Sequence, residues 1–145
     1  MKALIQRVKK ASVKIENELY SSINSGLLIF VGVEKNDNKE NAQKLAEKIL
    51  KLRIFEDEND KMNFSVIDKK GEVLVVSQFT LCGDCKKGTR PSFDNSAPID
   101  KAIELYEYFV YCVSQSGLKT ETGKFQAHMV VELVNDGPVT FFVQK

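Results

Sequence analysis

The chain is poor in features that mark several large protein classes. Its charges almost cancel, 21 basic against 20 acidic residues for a net +1. That balance argues against long-range attraction of nucleic acid by the whole molecule. Three cysteines make a poor disulfide framework, and a reduced, cytoplasmic setting is expected. No apolar run approaches the roughly 18 residues of a membrane span. The opening Met1-Lys2-Ala3-Leu4-Ile5 is interrupted at once by Gln6 and Arg7, so a signal-peptide layout is not expected. There is no internal repeat, no low-complexity stretch and no Pro/Gly/Ser-rich linker. A P-loop and a G-x-G-x-x-G are both missing, so no nucleotide cofactor is indicated. His128 is the only histidine, and a conventional Ser/Thr-His hydrolase would have to use it.

What is present is one domain's worth of chain, expected to span residues 1–145. A chain of that size buries about two thirds of its unfolded surface, enough for one core. Residues 2–8 and 11–16 read as strands, and Leu27 to Val33 is an apolar run behind Gly26. Asp37 and Glu40 have capping-box spacing. Ala42, Leu45, Ala46, Ile49 and Leu50 then recur at helical spacing. Glu56 to Lys61 reads as a polar turn, Val73 to Leu81 as a buried strand, and Gly83 to Pro98 as a loop. A second helix is expected from near Ser96, with Pro98 in its first turn. Its stripe would be Ile99, Ala102, Ile103, Tyr106, Val110 and Val113, with Gly117 as its stop. Strands 128–134 and 139–143 would flank an Asp136-Gly137-Pro138 turn. Strands outnumber helices, which favours an α+β domain with a mostly antiparallel sheet, open or curled into a barrel.

Few residue patterns carry chemistry. Strand alternation would put Ser77 and Phe79 on one face, Gln78 and Thr80 on the other. Such polar tips can meet a ligand, but they more often satisfy nearby backbone groups. A threonine hydroxyl needs a base to become a nucleophile, and no pattern supplies one. His128 reads better as a surface or structural residue. Cys82-Gly83-Asp84-Cys85 is a C-x-x-C with no second pair, a weak zinc or redox signal, and no metal is expected. Lys86, Lys87 and Arg90 surround Gly88; they are either a solvated loop or a phosphate-binding one. Lys9, Lys10 and Lys14 form a second, less specific basic segment. Asn135-Asp136-Gly137-Pro138 reads as an ordinary turn, or as a backbone device if its Gly-Pro bond is cis.

Val75-Val76-Ser77-Gln78-Phe79-Thr80-Leu81, running on to Arg90-Pro91-Ser92-Phe93, resembles one signature stretch of the D-aminoacyl-tRNA deacylases. Asn135-Asp136-Gly137-Pro138-Val139-Thr140 resembles the other. Leu4-Ile5-Gln6-Arg7-Val8, Gly32-Val33-Glu34-Lys35 and Arg53-Ile54-Phe55 extend the resemblance along the chain. It implies a β-rich α+β homodimer with active sites at the subunit interface and no cofactor. The implied reaction is hydrolysis of the ester in D-aminoacyl-tRNA, with glycyl-tRNA also accepted and L-aminoacyl-tRNA rejected. By resemblance, Ser77, Gln78, Phe79 and Thr80 receive the terminal adenosine and the scissile ester. Gly137 and Pro138 form a cis tip whose carbonyls hold the substrate ammonium in the partner's pocket. Arg7 supports that tip, with Gln6 beside it, and Lys86, Lys87 and Arg90 meet the acceptor stem. His128 stands where the family commonly has an acidic residue. Two rivals are a non-enzymatic RNA-binding module and a metal-dependent hydrolase built on the cysteines and His128.

Overall fold

A computed structural model describes residues 1–145. Residues 2–32 form one long hairpin whose returning arm is two strands. Strand β1 (Lys2–Ile15) turns back through Glu16 and Asn17 into β2 (Glu18–Ile23) and β3 (Gly26–Gly32). Both turn residues have positive φ, 52° and 67°, as a two-residue hairpin with the native strand twist requires. β2 and β3 both pair antiparallel with β1. Residues 2–8 and 11–16, expected as two strands, are therefore one. Lys9 and Lys10 did not interrupt it: their side chains are exposed, Lys10 pairs with Val134, and Lys9 is absorbed where the register shifts between Val8 and Lys10.

Helix α1 (Lys39–Leu50) buries Ala42, Leu45, Ala46, Ile49 and Leu50, the expected stripe. Its cap differs from the expectation. Asn38 is the N-cap, and it forms the capping box with Asn41. Asp37 instead accepts from the Met1 ammonium and from the Glu34 N–H. A short side chain one residue earlier thus closes a buried ion pair at 2.5 Å and leaves the capping to its neighbour. The expected polar turn lies in a small hairpin, β4 (Phe55–Glu56) with β5 (Met62–Phe64).

β6 (Glu72–Ser77) pairs parallel with β3, and β7 (Thr120–Thr122) pairs parallel with β6. Between them runs α2 (Ile99–Ser114), with Pro98 at its N-cap rather than inside it. Its buried residues are Leu105, Tyr106, Phe109 and Val113. Tyr106 and Val113 of the expected stripe are buried, but Ile99 is exposed and Leu105 and Phe109 are buried instead. Tyr106 also anchors the helix: its hydroxyl donates to the Val75 carbonyl at 2.9 Å and ties α2 to β6.

β8 (Val130–Gln144) is a single strand antiparallel to β1 along almost its whole length. The two expected strands and the turn between them are hence one strand with an interior bulge. Gln6 faces Thr140 and Lys10 faces Val134, so β8 spends two extra residues there and the ladder resumes. Extra residues that are absorbed this way kink a strand without reversing it.

The sheet order is β2-β1-β3-β6-β7, with β8 on β1. The sheet curls until its ends meet, because Ser21 of β2 donates to the Thr122 carbonyl of β7 at 2.8 Å. One face packs Leu27, Ile29, Val31, Val73 and Val75 against both helices. The other buries Leu28, Leu74 and Val76 with Val8, Ala11, Val13 and Ile23 inside the curl. This alternation explains why β3 and β6 read as continuous apolar runs: both faces are covered. No helix is long and apolar enough to cross a membrane.

Candidate functional site

β6 ends at Ser77, and the chain tightens at once into a 3-10 turn, Phe79–Cys82. The expected strand to Leu81 is thus cut short, and the alternation of faces stops with it. Gly32 makes the tight path possible. A Cβ there would lie 2.9 Å from the Cys82 sulfur and 3.1 Å from the Gln78 carbonyl. Cys82 is buried behind the turn, with its thiol 3.4 Å from the Val33 carbonyl.

The turn brings polar groups together at its start. Gln78 donates from Nε2 to Thr80 Oγ1 at 2.5 Å. No carboxylate, imidazole or amine is hydrogen-bonded to the Thr80 hydroxyl. The first bond of the turn runs from the Leu81 N–H to the Gln78 carbonyl. The N–H groups of Phe79 and Thr80 precede it and have no acceptor within the turn.

Ser77, Gln78 and Phe79 line a cleft of about 580 Å³. Its other walls are Ser96, Ala97, Ile99 and Ala102 around the start of α2, and Phe125 to Met129 with Val131 before and into β8. Phe79 is 59% exposed at its mouth and leans on Phe93, ring centroids 5.1 Å apart. The Ser96 hydroxyl is buried and has no hydrogen-bond partner. His128 is exposed on the cleft's rim. The walls that start α2 and precede β8 were not legible in the sequence; only the fold brings them to β6.

A second constellation lies at the β8 bulge. The Gly137-Pro138 peptide is cis. Gly137 has φ +156°, and both tip residues are exposed. Arg7 lies under the tip and is only 4% exposed. Its guanidinium donates to the Asp136 carbonyl at 3.0 Å, to the Ile54 carbonyl at 2.7 Å and to Glu56 at 3.3 Å. A buried guanidinium is tolerable only with such a set of acceptors. Asn135 braces the bulge from the other side, donating to the Arg7 and Val139 carbonyls. Gln6 reaches Thr140 at 3.1 Å. The sequence contained Asn135 in its turn, but not the cage of Ile54, Glu56 and Asp136 around Arg7.

The two constellations are not joined within the chain. Neither Gly137 nor Pro138 lines the cleft. Lys86, Lys87 and Arg90 are exposed on the loop beyond the turn, which an Asp84–Ser92 bridge closes. None of the three makes a side-chain ion pair or hydrogen bond. Cys82 and Cys85 face different environments, one buried and one exposed. No group of three His, Cys, Asp or Glu side chains is placed to hold a metal ion.

Comparisons with known proteins converge. The family model described as D-Tyr-tRNA(Tyr) deacylase matches residues 4–144. A relative from Thermosipho africanus, named D-aminoacyl-tRNA deacylase, is 58% identical over 143 residues, 99% of this chain and 96% of its own length. One of the same name from Photorhabdus laumondii is 56% identical over 144 residues, 99% of each chain. Among solved structures, a protein named c-Myc DNA Unwinding Element Binding Protein superposes with a TM-score of 0.94 at 39% identity, covering 100% of this chain and 99% of that one. A probable eukaryotic D-amino acid tRNA deacylase gives 0.83 at 16% identity, with 98% of each covered, a likeness of fold alone.

Proposed function

The chain belongs to the D-Tyr-tRNA(Tyr) deacylase family, and from that premise we propose how it works on its substrate. It is a hydrolase that cleaves the ester of D-aminoacyl-tRNA, releasing free D-amino acid and tRNA. The observation that carries the site assignment is the cleft lined by Ser77, Gln78 and Phe79, beside which the Thr80 hydroxyl meets an amide and no base and the N–H groups of Phe79 and Thr80 have no acceptor within the turn.

In the proposed reaction the terminal adenosine and the ester occupy this cleft. The N–H groups of Phe79 and Thr80 donate to the oxyanion as the ester carbonyl is attacked. Water is the nucleophile, assisted by the neighbouring ribose 2′-hydroxyl. Thr80 and Gln78 position the ester, and Ser77 closes the cleft floor. What supports this reading over a threonine nucleophile is that Thr80 Oγ1 meets an amide and no base.

The Gly137-Pro138 tip reads chirality by presenting its carbonyls to the substrate ammonium. An L side chain then runs into the wall, whereas a D side chain points to open space and glycine has none to clash. Exclusion of this kind discriminates without contacts specific to one side chain. Because tip and cleft are separate in one chain, the tip serves the cleft of a second copy, and the protein acts as a homodimer. Exposed Val130, Val134, Phe141 and Phe142 along β8 are apolar surface that such pairing would cover. Lys86, Lys87 and Arg90 approach the phosphates of the acceptor stem.

The test is deacylation of matched D-Tyr-tRNA and L-Tyr-tRNA by the purified protein with a chelator present. Release from the D-substrate alone is expected. Release from both would remove the chiral role of the tip, and binding without release would favour an RNA-binding module. With Thr80→Ala, substantial remaining activity is expected; total loss at an unchanged fold would favour the threonine nucleophile.

A further inference from the structure

The cleft has an unusual electrostatic composition. Fourteen residues line it, and His128 is the only one with an ionisable side chain. Asp100 and Lys101 adjoin the lining residue Ile99 in sequence, and Lys124 adjoins Phe125, but none of these three lines the cleft. Lys101 is turned away, donating to the Lys35 carbonyl at 2.6 Å. The interior is furnished with Phe125, Met129, Ala97 and Val131, surfaces suited to a flat nucleobase and a ribose. His128 stands apart from them, exposed at the rim.

A nucleoside seated in such a cleft remains attached to its RNA through a 5′ phosphodiester. That link must leave through the rim, because the interior has no charged group to meet it and a phosphate left in an apolar wall is costly. We infer that His128 is a substrate-binding residue of this site, and that its imidazole meets the phosphodiester joining the terminal nucleoside to the rest of the tRNA. The inference rests on the cleft being the deacylation site. A histidine can donate a hydrogen bond to a phosphate oxygen when neutral and adds a charge when protonated. The contact would act on binding, since the phosphate lies away from the ester carbon and feels little of the charge that develops there.

The experiment compares His128→Gln and His128→Ala with the wild type on two substrates, D-Tyr-tRNA and the nucleoside ester 3′-O-D-tyrosyl-adenosine, which lacks the phosphate. On the tRNA, the expected result is a KM raised about fivefold in the alanine variant with kcat unchanged, the scale of a partly exposed charged contact. On the nucleoside ester, wild type and variants should be equal. Unchanged KM on the tRNA would overturn the inference. So would an equal loss on both substrates, which would mean a structural role or a contact to the nucleoside itself. A wild type inactive on both esters would sink the deacylase reading and the phosphate contact with it; activity in the wild type with unaltered variants sinks the contact alone.

Discussion

Gly137 shows how much a single residue can carry. Its φ of +156° is a conformation that side-chain-bearing residues rarely adopt. A Cβ there would lie 2.3 Å from the Val139 backbone nitrogen and 2.8 Å from Cγ2 of Val139. Gly137→Ala must therefore displace the tip, at a cost of about 1–3 kcal/mol. The fold should survive, because the clash is local, with Val139 two residues on, and the paired halves of β8 lie on either side of it. The expected outcome is a lowered melting temperature with intact circular dichroism, together with loss of activity or of D/L discrimination. Wild-type kinetics in that variant would remove the backbone account of chirality. Glycine at this position was readable in the sequence as part of a turn; its φ was not, because an isolated Asp-Gly-Pro fits several turn types.

Elements are joined at polar knots as well as by apolar faces. Glu72 opens β6 and accepts from the Asn24 N–H, from the Asn24 amide and from Lys119, linking the β2–β3 junction to the segment before β7. The Asn24 hydrogen bonds, side chain first, hold its carboxyl below the usual carboxylate range. A depressed folded-state pKa contributes stability that is present above the unfolded value, about 4.3, and is lost as pH falls through the folded one. Glu72→Gln should cost about 1 kcal/mol near neutral pH and should flatten the loss of stability on going from pH 5 to pH 3. Urea midpoints at those two values check this; equal slopes for the variant and the wild type would refute the knot. None of this was visible in the sequence, because Asn24, Glu72 and Lys119 meet only once three strands align. The apolar elements were far more legible. α1 came out with its expected buried stripe, whereas α2 buries Tyr106 and Val113 as expected but adds Leu105 and Phe109 and leaves Ile99 exposed.

At the scale of the whole molecule, cleft and tip lie on different parts of one curled sheet. A homodimer that exchanges tips would give two composite sites. This makes a complementation test possible. Ala127→Trp should fill the cleft of one variant, and Gly137→Ala should disable the tip of another. Each alone should be inactive. Mixed dimers carry one intact site made from the undamaged cleft of one chain and the undamaged tip of the other, so a re-equilibrated equal mixture should recover about a quarter of wild-type activity. No recovery in a mixture shown by light scattering to be dimeric would mean that each chain uses its own tip.

The sequence by itself determined the class of fold, the two helices, the apolar strands and the family, because burial periodicity and short signature stretches are local properties of the chain. Ser77 to Thr80 and Gly137-Pro138 belong to that legible part. Tertiary structure alone decided what those residues face. It ended β6 at Ser77 where a strand to Leu81 was expected, since Gly32 leaves room for the chain to turn. It joined 130–134 and 139–143 into one bulged strand, since both pair with β1, and left 128 and 129 outside it. It also placed the lone histidine on the rim of a cleft with no other ionisable group. Such outcomes depend on which distant backbones and side chains come to share a boundary, and that is set by packing of the whole sheet rather than by any one segment.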